Sequence, residues 1–184
     1  KSAHDAMFIT FTSFLYPSTV FRYDFKSGEL STFAQPKIEF PIEDYETQQV
    51  FVTSKDGTRV PMFLTHKKGI EKNGENPVLV YGYGGFSINL TPMFVVHMLS
   101  WVESGGIFAY VNLRGGNEYG DEWHQAGMLG NKQNVFDDFI AAAEWLITEQ
   151  YSRKGKLAIM GGSNGGLLVS ACMTQRPNLY GAVI

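Results

Sequence analysis

Two glycine-rich stretches carry the residues of this chain that could do chemistry. One of them, Gly161-Gly162-Ser163-Asn164-Gly165-Gly166, sets a serine in the pattern G-x-S-x-G. A serine hydroxyl is a weak nucleophile at its free pKa. It must be presented to substrate, paired with a base, and faced by hydrogen-bond donors for the oxyanion that forms. The order strand, G-x-S-x-G, helix meets the first need, because so sharp a turn strains the serine backbone, demands small neighbours and lifts the hydroxyl clear of the sheet. Residues 156–160 (KLAIM) read as a buried strand, and 167–173 continue as a helix that is apolar nearly all round.

A glycine-rich turn can also simply turn, or cradle a phosphate at a helix N-terminus. Neither phosphate pattern fits, since the third position is Ser163 and no Gly-Lys pair follows. Ser163 is therefore the candidate nucleophile, on the elbow of an α/β-hydrolase fold. In that fold one oxyanion donor is the backbone N–H of the next residue, here Asn164. The other comes from the loop after an earlier strand. That loop is the second stretch, Gly82-Tyr83-Gly84-Gly85-Phe86, directly after the apolar run 77–81 (PVLVY). From spacing alone, Tyr83 reads equally well as a hydroxyl donor or as a packed aromatic.

The base and its orienting carboxylate should follow the serine in the chain, in the order Ser, Asp or Glu, His. Residues 164–184 contain no Asp, Glu or His. His4, His66, His97 and His124 all lie upstream, where use as the base would break the order, and each is expected to be structural. Two readings follow: a non-catalytic relative, or a chain that stops before its triad is complete. Residues 180–184 (YGAVI) look like the start of another buried strand, which favours the second. The Asp and His are then expected beyond Ile184. The 184 residues alone are expected to be inactive and to fold poorly, because a truncated parallel sheet leaves an edge and an apolar face uncovered.

The elements that must position these residues can be read along the chain. Residues 5–14 and 18–25, separated by Tyr16-Pro17-Ser18, read as a β-hairpin, and 30–33 as a third antiparallel strand after a turn at 26–29. Three strands are a poor independent domain. Residues 36–46, with two prolines and four acidic residues, read as a connector. Residues 48–53 and 59–65 flank Asp56-Gly57, a hairpin signal. Strands at 77–81, 107–113 and 156–160 then alternate with helices. Thr91-Pro92 is expected to open the first helix and Gly105-Gly106 to close it; Asn134 is expected to cap the next. In that second helix Phe136, Phe139, Ile140, Ala143 and Leu146 form the apolar stripe, with Asp137, Asp138 and Glu144 pointing elsewhere. The alternation predicts an α/β fold with a parallel, doubly wound sheet.

Composition narrows the partners. Of 184 residues, 44% are hydrophobic, enough to build a core. The net charge of -3 is scattered, with no basic footprint for nucleic acid. No run approaches the roughly 18 apolar residues of a membrane span, and no signal peptide is evident, although the chain begins at Lys1 and not at Met. A single cysteine, Cys172, rules out an internal disulfide framework, suits a cytosolic protein, and reads as a small buried hydrophobe. No metal or cofactor motif is present.

Taken together, YGYGGF (81–86), RGGNEYGDEWHQAG (114–127), NKQNVFDDF (131–139), GGSNGGLL (161–168) and QRPNLYG (175–181) resemble the prolyl oligopeptidase family of serine peptidases. The resemblance runs through nearly the whole chain. It implies that Ser163 is the nucleophile, that the Tyr83 hydroxyl joins the Asn164 N–H in the oxyanion hole, and that Phe86 lines a pocket for a substrate proline. It implies a serine endopeptidase that cleaves short proline-containing peptides on the carboxyl side of proline through an acyl-enzyme. It further implies that 1–38 are the end of an N-terminal β-propeller and 39–184 a partial catalytic domain, with His124 matching a family position other than the catalytic histidine. The oligomeric state is not legible, and a monomer is the default. The alternatives are another acyl hydrolase of the same fold, such as an esterase or lipase, and a binding module without chemistry.

Overall fold

Residues 5–184 are described by the computed structural model, so His4 lies outside the described residues. The chain opens with three strands, β1 (Ala6–Phe11), β2 (Thr19–Asp24) and β3 (Leu30–Ala34), paired antiparallel in sequence order. The second turn is built by Asp24, whose Oδ1 accepts from the N–H groups of Lys26 and Ser27. This sheet reaches the rest of the molecule through the β1–β2 loop. There Phe14, only 3% exposed, packs its ring 5.5 Å from that of Phe63 and 5.1 Å from that of Tyr110.

The second sheet has six strands in the order β4-β5-β7-β6-β8-β9. β4 (Tyr45–Thr53) and β5 (Arg59–Lys67) form the expected hairpin around Asp56-Gly57, and β5 pairs antiparallel with β7 (Ile107–Val111). β7, β6 (Val78–Tyr81), β8 (Leu157–Met160) and the two-residue β9 (Ala182–Val183) are mutually parallel. The crossovers are α1 (Val96–Glu103), α3 (Gln133–Thr148) and α4 (Asn164–Gln175), with a short α2 (Asp121–Gln125) before α3.

Strand alternation sorts the core into two layers. Val78, Val80, Ile107, Ala109, Leu157 and Ile159 face α3 and α4, where Phe139, Ala143, Leu146, Leu168 and Cys172 complete one cluster. Leu79, Phe108 and Tyr110 face the other way, toward α1 and Phe14. Cys172 is buried as expected, and that burial pushes its thiol up to about 12.

Four expectations are corrected. The sheet is mixed, because a tight hairpin makes β4 and β5 antiparallel and β5 then adds to β7 in the same sense. β4 starts at Tyr45, inside the stretch read as connector, after a 3-10 turn at Ile42–Asp44. α1 begins at Val96 and not at Thr91-Pro92, because the preceding backbone donates elsewhere: Leu90 N–H to Glu118 Oε1 at 2.8 Å and Phe94 N–H to Thr12 Oγ1 at 3.2 Å. α3 begins at Gln133, continuing from a 3-10 turn at Leu129–Asn131, and the Asn134 side chain donates instead to the Ala126 carbonyl at 2.9 Å.

Asp138 is a further correction. It does not point away from the core but is fully buried, and it takes the Arg114 guanidinium from the loop that follows β7. Among the described residues no helix is long and apolar enough to cross a membrane.

Candidate functional site

Ser163 stands where β8 ends and α4 begins, with φ 55 and ψ −117. A positive φ is unfavourable for a residue with a side chain and is retained only where the surroundings over-determine it. They do so here. A Cβ on Gly161 would lie 2.4 Å from the Gly165 carbonyl oxygen, so the chain can double back only because position 161 is bare. The Gly165 and Gly166 N–H groups close the turn onto the carbonyls of Gly162 and Ser163. Ser163 is exposed, and the Asn164 N–H belongs to the first turn of α4, which has no acceptor within its own helix.

The second glycine-rich stretch lies against this elbow. It leaves β6, which pairs with β8, so both loops emerge at the same end of the sheet. The Asn164 side chain bridges them, its Nδ2 donating to the Tyr83 carbonyl at 2.6 Å. Gly84, at φ 59, is pressed between Val135 and the Arg114 backbone; an added Cβ would meet Val135 Cγ1 at 2.3 Å. The Gly84 carbonyl in turn accepts from Lys132 Nζ at 2.7 Å.

Beyond the loop, Phe86 and Ser87 both have positive φ, 54 and 56. The bend is held by Ser87 N–H to the Gly115 carbonyl and Ile88 N–H to the Gly85 carbonyl, each 3.1 Å. The Phe86 ring is 74% exposed and lines a cleft of about 460 Å3 together with Lys132, Asn164, Met128 and His124. Burial lowers the Lys132 ammonium below its ordinary pKa. An exposed aromatic ring on a strained backbone, in one cleft with the residue that follows Ser163, can offer an apolar group a flat wall.

Of the described histidines, His66 and His124 each make a hydrogen bond to a backbone carbonyl. His66 is buried, its Nδ1 donating to the Lys67 carbonyl at 2.9 Å. His124 borders the cleft, but its Nδ1 lies 2.7 Å from the Gly115 carbonyl, which can only accept, so that nitrogen carries the proton and braces the loop. His97, on α1, lines an apolar cavity beside Phe14 and Tyr110 on the other face of the sheet.

Beneath both loops lies a buried ion pair that sequence reading passed over. Asp138 accepts from Arg114 Nη2 at 2.6 Å, Arg114 Nε at 2.9 Å, the Arg114 N–H at 3.2 Å and Ser54 Oγ at 2.6 Å. Arg114 also reaches Asp56. Burial alone would lower the guanidinium, but the hydrogen bonds to Asp138 and Asp56 outweigh it and hold Arg114 above its ordinary pKa. The pair fixes the segment 114–116, whose Gly115 carbonyl accepts from both the Ser87 N–H and His124 Nδ1. The available signal was an arginine closing an apolar strand and an acidic pair inside an apolar helix stripe. Lys132 was likewise missed, because a lysine in a polar run reads as solvated.

Comparison with known proteins gives consistent results. The family model described as the prolyl oligopeptidase family matches residues 92–184. The chain is 49% identical over 173 residues to a prolyl endopeptidase of Elizabethkingia meningoseptica, covering 94% of this chain and 24% of that protein. It is 50% identical over 182 residues to the prolyl oligopeptidase ophP of Omphalotus olearius, covering 97% and 24%. It also superposes on prolyl oligopeptidase B from Galerina marginata, solved bound to a 35-residue hydrolysis and macrocyclization substrate. That match has a TM-score of 0.94 and 39% identity, covering 100% of this chain and 26% of that one. The chain thus spans about a quarter of the length of the relatives it matches.

Proposed function

The chain belongs to the prolyl oligopeptidase family, and from that premise we propose that it carries the nucleophile and oxyanion hole of a serine endopeptidase cleaving short peptides after proline. The observation that carries this reading is the strained, exposed Ser163 at φ 55, joined through Asn164 to the Tyr83 loop.

In this reading Ser163 Oγ attacks the carbonyl carbon of the substrate proline while a general base takes its proton. Negative charge gathers on the former carbonyl oxygen, and the Asn164 N–H and the Tyr83 hydroxyl receive it. The C–N bond then breaks, its amine leaving with a proton from the base, and water hydrolyses the acyl-enzyme. Phe86 offers the proline ring an aromatic wall. The base and its carboxylate lie outside these residues, since none of the histidines follows Ser163 in the order the fold uses. Residues 1–38 would close an upstream β-propeller restricting access to short peptides, and 39–184 would be part of the catalytic domain. The protein needs no metal or cofactor for this chemistry.

The test uses the protein containing this chain together with the rest of its reading frame. A fluorophosphonate should label Ser163, and a fluorogenic Gly-Pro amide should be hydrolysed; both should vanish in Ser163→Ala. Labelling by the fluorophosphonate with hydrolysis of a simple ester but no Gly-Pro turnover would indicate another acyl hydrolase. Neither labelling nor turnover would indicate a binding module.

A further inference from the structure

Lys132 holds an unusual position for a lysine. It stands at the N-terminal edge of α3, half-buried, and lines the same cleft as Phe86 and Asn164. Its ammonium has no carboxylate within 4.0 Å among the described residues. A cation drawn partly out of water without an ion pair is costly and must be held by other acceptors. Its acceptors are the Gly84 carbonyl, at 2.7 Å, and Asn164 Oδ1, at 3.4 Å. One belongs to the loop carrying Tyr83 and the other to the residue after Ser163.

The chemistry of the three groups dictates their order. Lysine can only donate and a backbone carbonyl can only accept. With Lys132 on Oδ1 and the Tyr83 carbonyl on Nδ2, the Asn164 amide has a single satisfied orientation. Flipping it would face donor to donor and acceptor to acceptor. Lys132 thereby sets the direction in which Asn164 grips the Tyr83 loop, and it pins that loop a second time through Gly84.

We infer that Lys132 is a positioning residue that clamps the two halves of the proposed oxyanion hole, Tyr83 on one loop and Asn164 on the other, in register. The inference rests on the proposed peptidase function. It adds that oxyanion stabilisation depends on a side chain that is not itself an oxyanion donor and acts through Gly84 and Asn164. A misplacement of about 1 Å in such donors can cost on the order of a hundredfold in rate.

The experiment separates oxyanion stabilisation from substrate binding and from folding. In the protein carrying this chain, Lys132→Met keeps the length and removes the donor, while Lys132→Gln keeps a shorter, uncharged donor. Each is compared with wild type for inhibition by a peptide prolinal and by the matching prolinol. Ser163 Oγ adds to the aldehyde carbon, its proton passing to the base, and the resulting hemiacetal oxygen enters the hole; the alcohol cannot do this. The expected result is aldehyde binding weakened about ten- to hundredfold, alcohol binding changed less than about twofold, and kcat reduced with little change in KM.

Equal weakening of both ligands, or no weakening of the aldehyde in a folded variant, overturns the inference. Loss of folding in both variants also overturns it, because Lys132 would then be a requirement of the fold. If wild type neither turns over substrate nor binds the aldehyde, the functional reading fails first and carries this inference with it.

Discussion

The side-chain amide of Asn164 donates to the Tyr83 carbonyl at 2.6 Å, so the residue that follows Ser163 in sequence is tied to the loop that faces it in space. The contact spans 81 positions of chain, and it makes the spacing between elbow and loop a property of one side chain. Asn164→Ala should therefore act on more than the amide it deletes. A net hydrogen bond contributes about 1 kcal/mol, so the fold should survive with a modest loss. In the protein carrying this chain, if it has the proposed peptidase activity, kcat should fall about tenfold, with thermal denaturation and kinetics on the same preparation as the check.

Tyr83→Phe should separate the hydroxyl from the ring. If the hydroxyl faces the oxyanion, kcat falls about a hundred- to a thousandfold while KM and the melting temperature stay near wild type. A kcat within twofold of wild type would leave Tyr83 as a packed aromatic only.

Asp138→Ala should be among the most damaging changes in the chain. Asp138 is fully buried and meets Arg114 and Ser54. Removing the carboxylate leaves a guanidinium that is itself only 4% exposed with a void on one side and Asp56 as its remaining carboxylate partner. Breaking such a pair from one side costs about 3–5 kcal/mol. Urea denaturation should show this loss or an absence of folded protein, and Arg114→Met with Asp138→Leu should recover part of it.

Stability should decline in acid in a way that Asp56 helps to set. The hydrogen bond from Arg114, partly opposed by burial, holds the Asp56 carboxyl down to about 2. A carboxylate with a folded pKa below its unfolded value of about 3.9 stabilises the fold fully above that value. The contribution is lost as pH falls from about 4 toward 2. Asp56→Asn should flatten that part of the profile, measured by denaturant midpoints across the range. Asp24, lowered to about 2 by the N–H groups of Ser27 and Lys26 and by Arg22, should add a similar slope.

Two neighbouring glycines should respond oppositely to alanine. A Cβ on Gly161 meets the backbone of Gly165 at 2.4 Å, whereas one on Gly162 meets nothing within 4 Å. Gly161→Ala should abolish labelling of Ser163 by a fluorophosphonate or prevent folding. Gly162→Ala should melt within a few degrees of wild type and retain its labelling.

Much of the site was legible because its parts are local. The strand KLAIM, the glycine pattern and the apolar helix lie side by side in sequence, and backbone sterics alone require a bare position 161 if Ser163 is to turn so sharply. The apolar runs at β6, β7 and β8 likewise declared strands covered on both faces. Hairpin turns at Asp24 and Asp56-Gly57 followed from short-range hydrogen bonding. Where local signals met long-range partners, they lost. Thr91-Pro92 reads as a helix start, yet Glu118 and Thr12 take the backbone donors on either side of it and delay α1 to Val96.

From sequence alone came the elbow, the glycine-rich loop before it, the α/β class and the place of Ser163, because each depends on residues within a turn or a strand of one another. Only the tertiary structure decided that the sheet is mixed, that Asp138 is buried on Arg114, and that Lys132 and Asn164 lock the loop against the elbow. A charged side chain is written identically in a sequence whether it faces water or a partner. Its energy depends on which distant groups the fold brings to it, and the separations here, 24 residues for Asp138 and 48 for Lys132, lie beyond any local pattern.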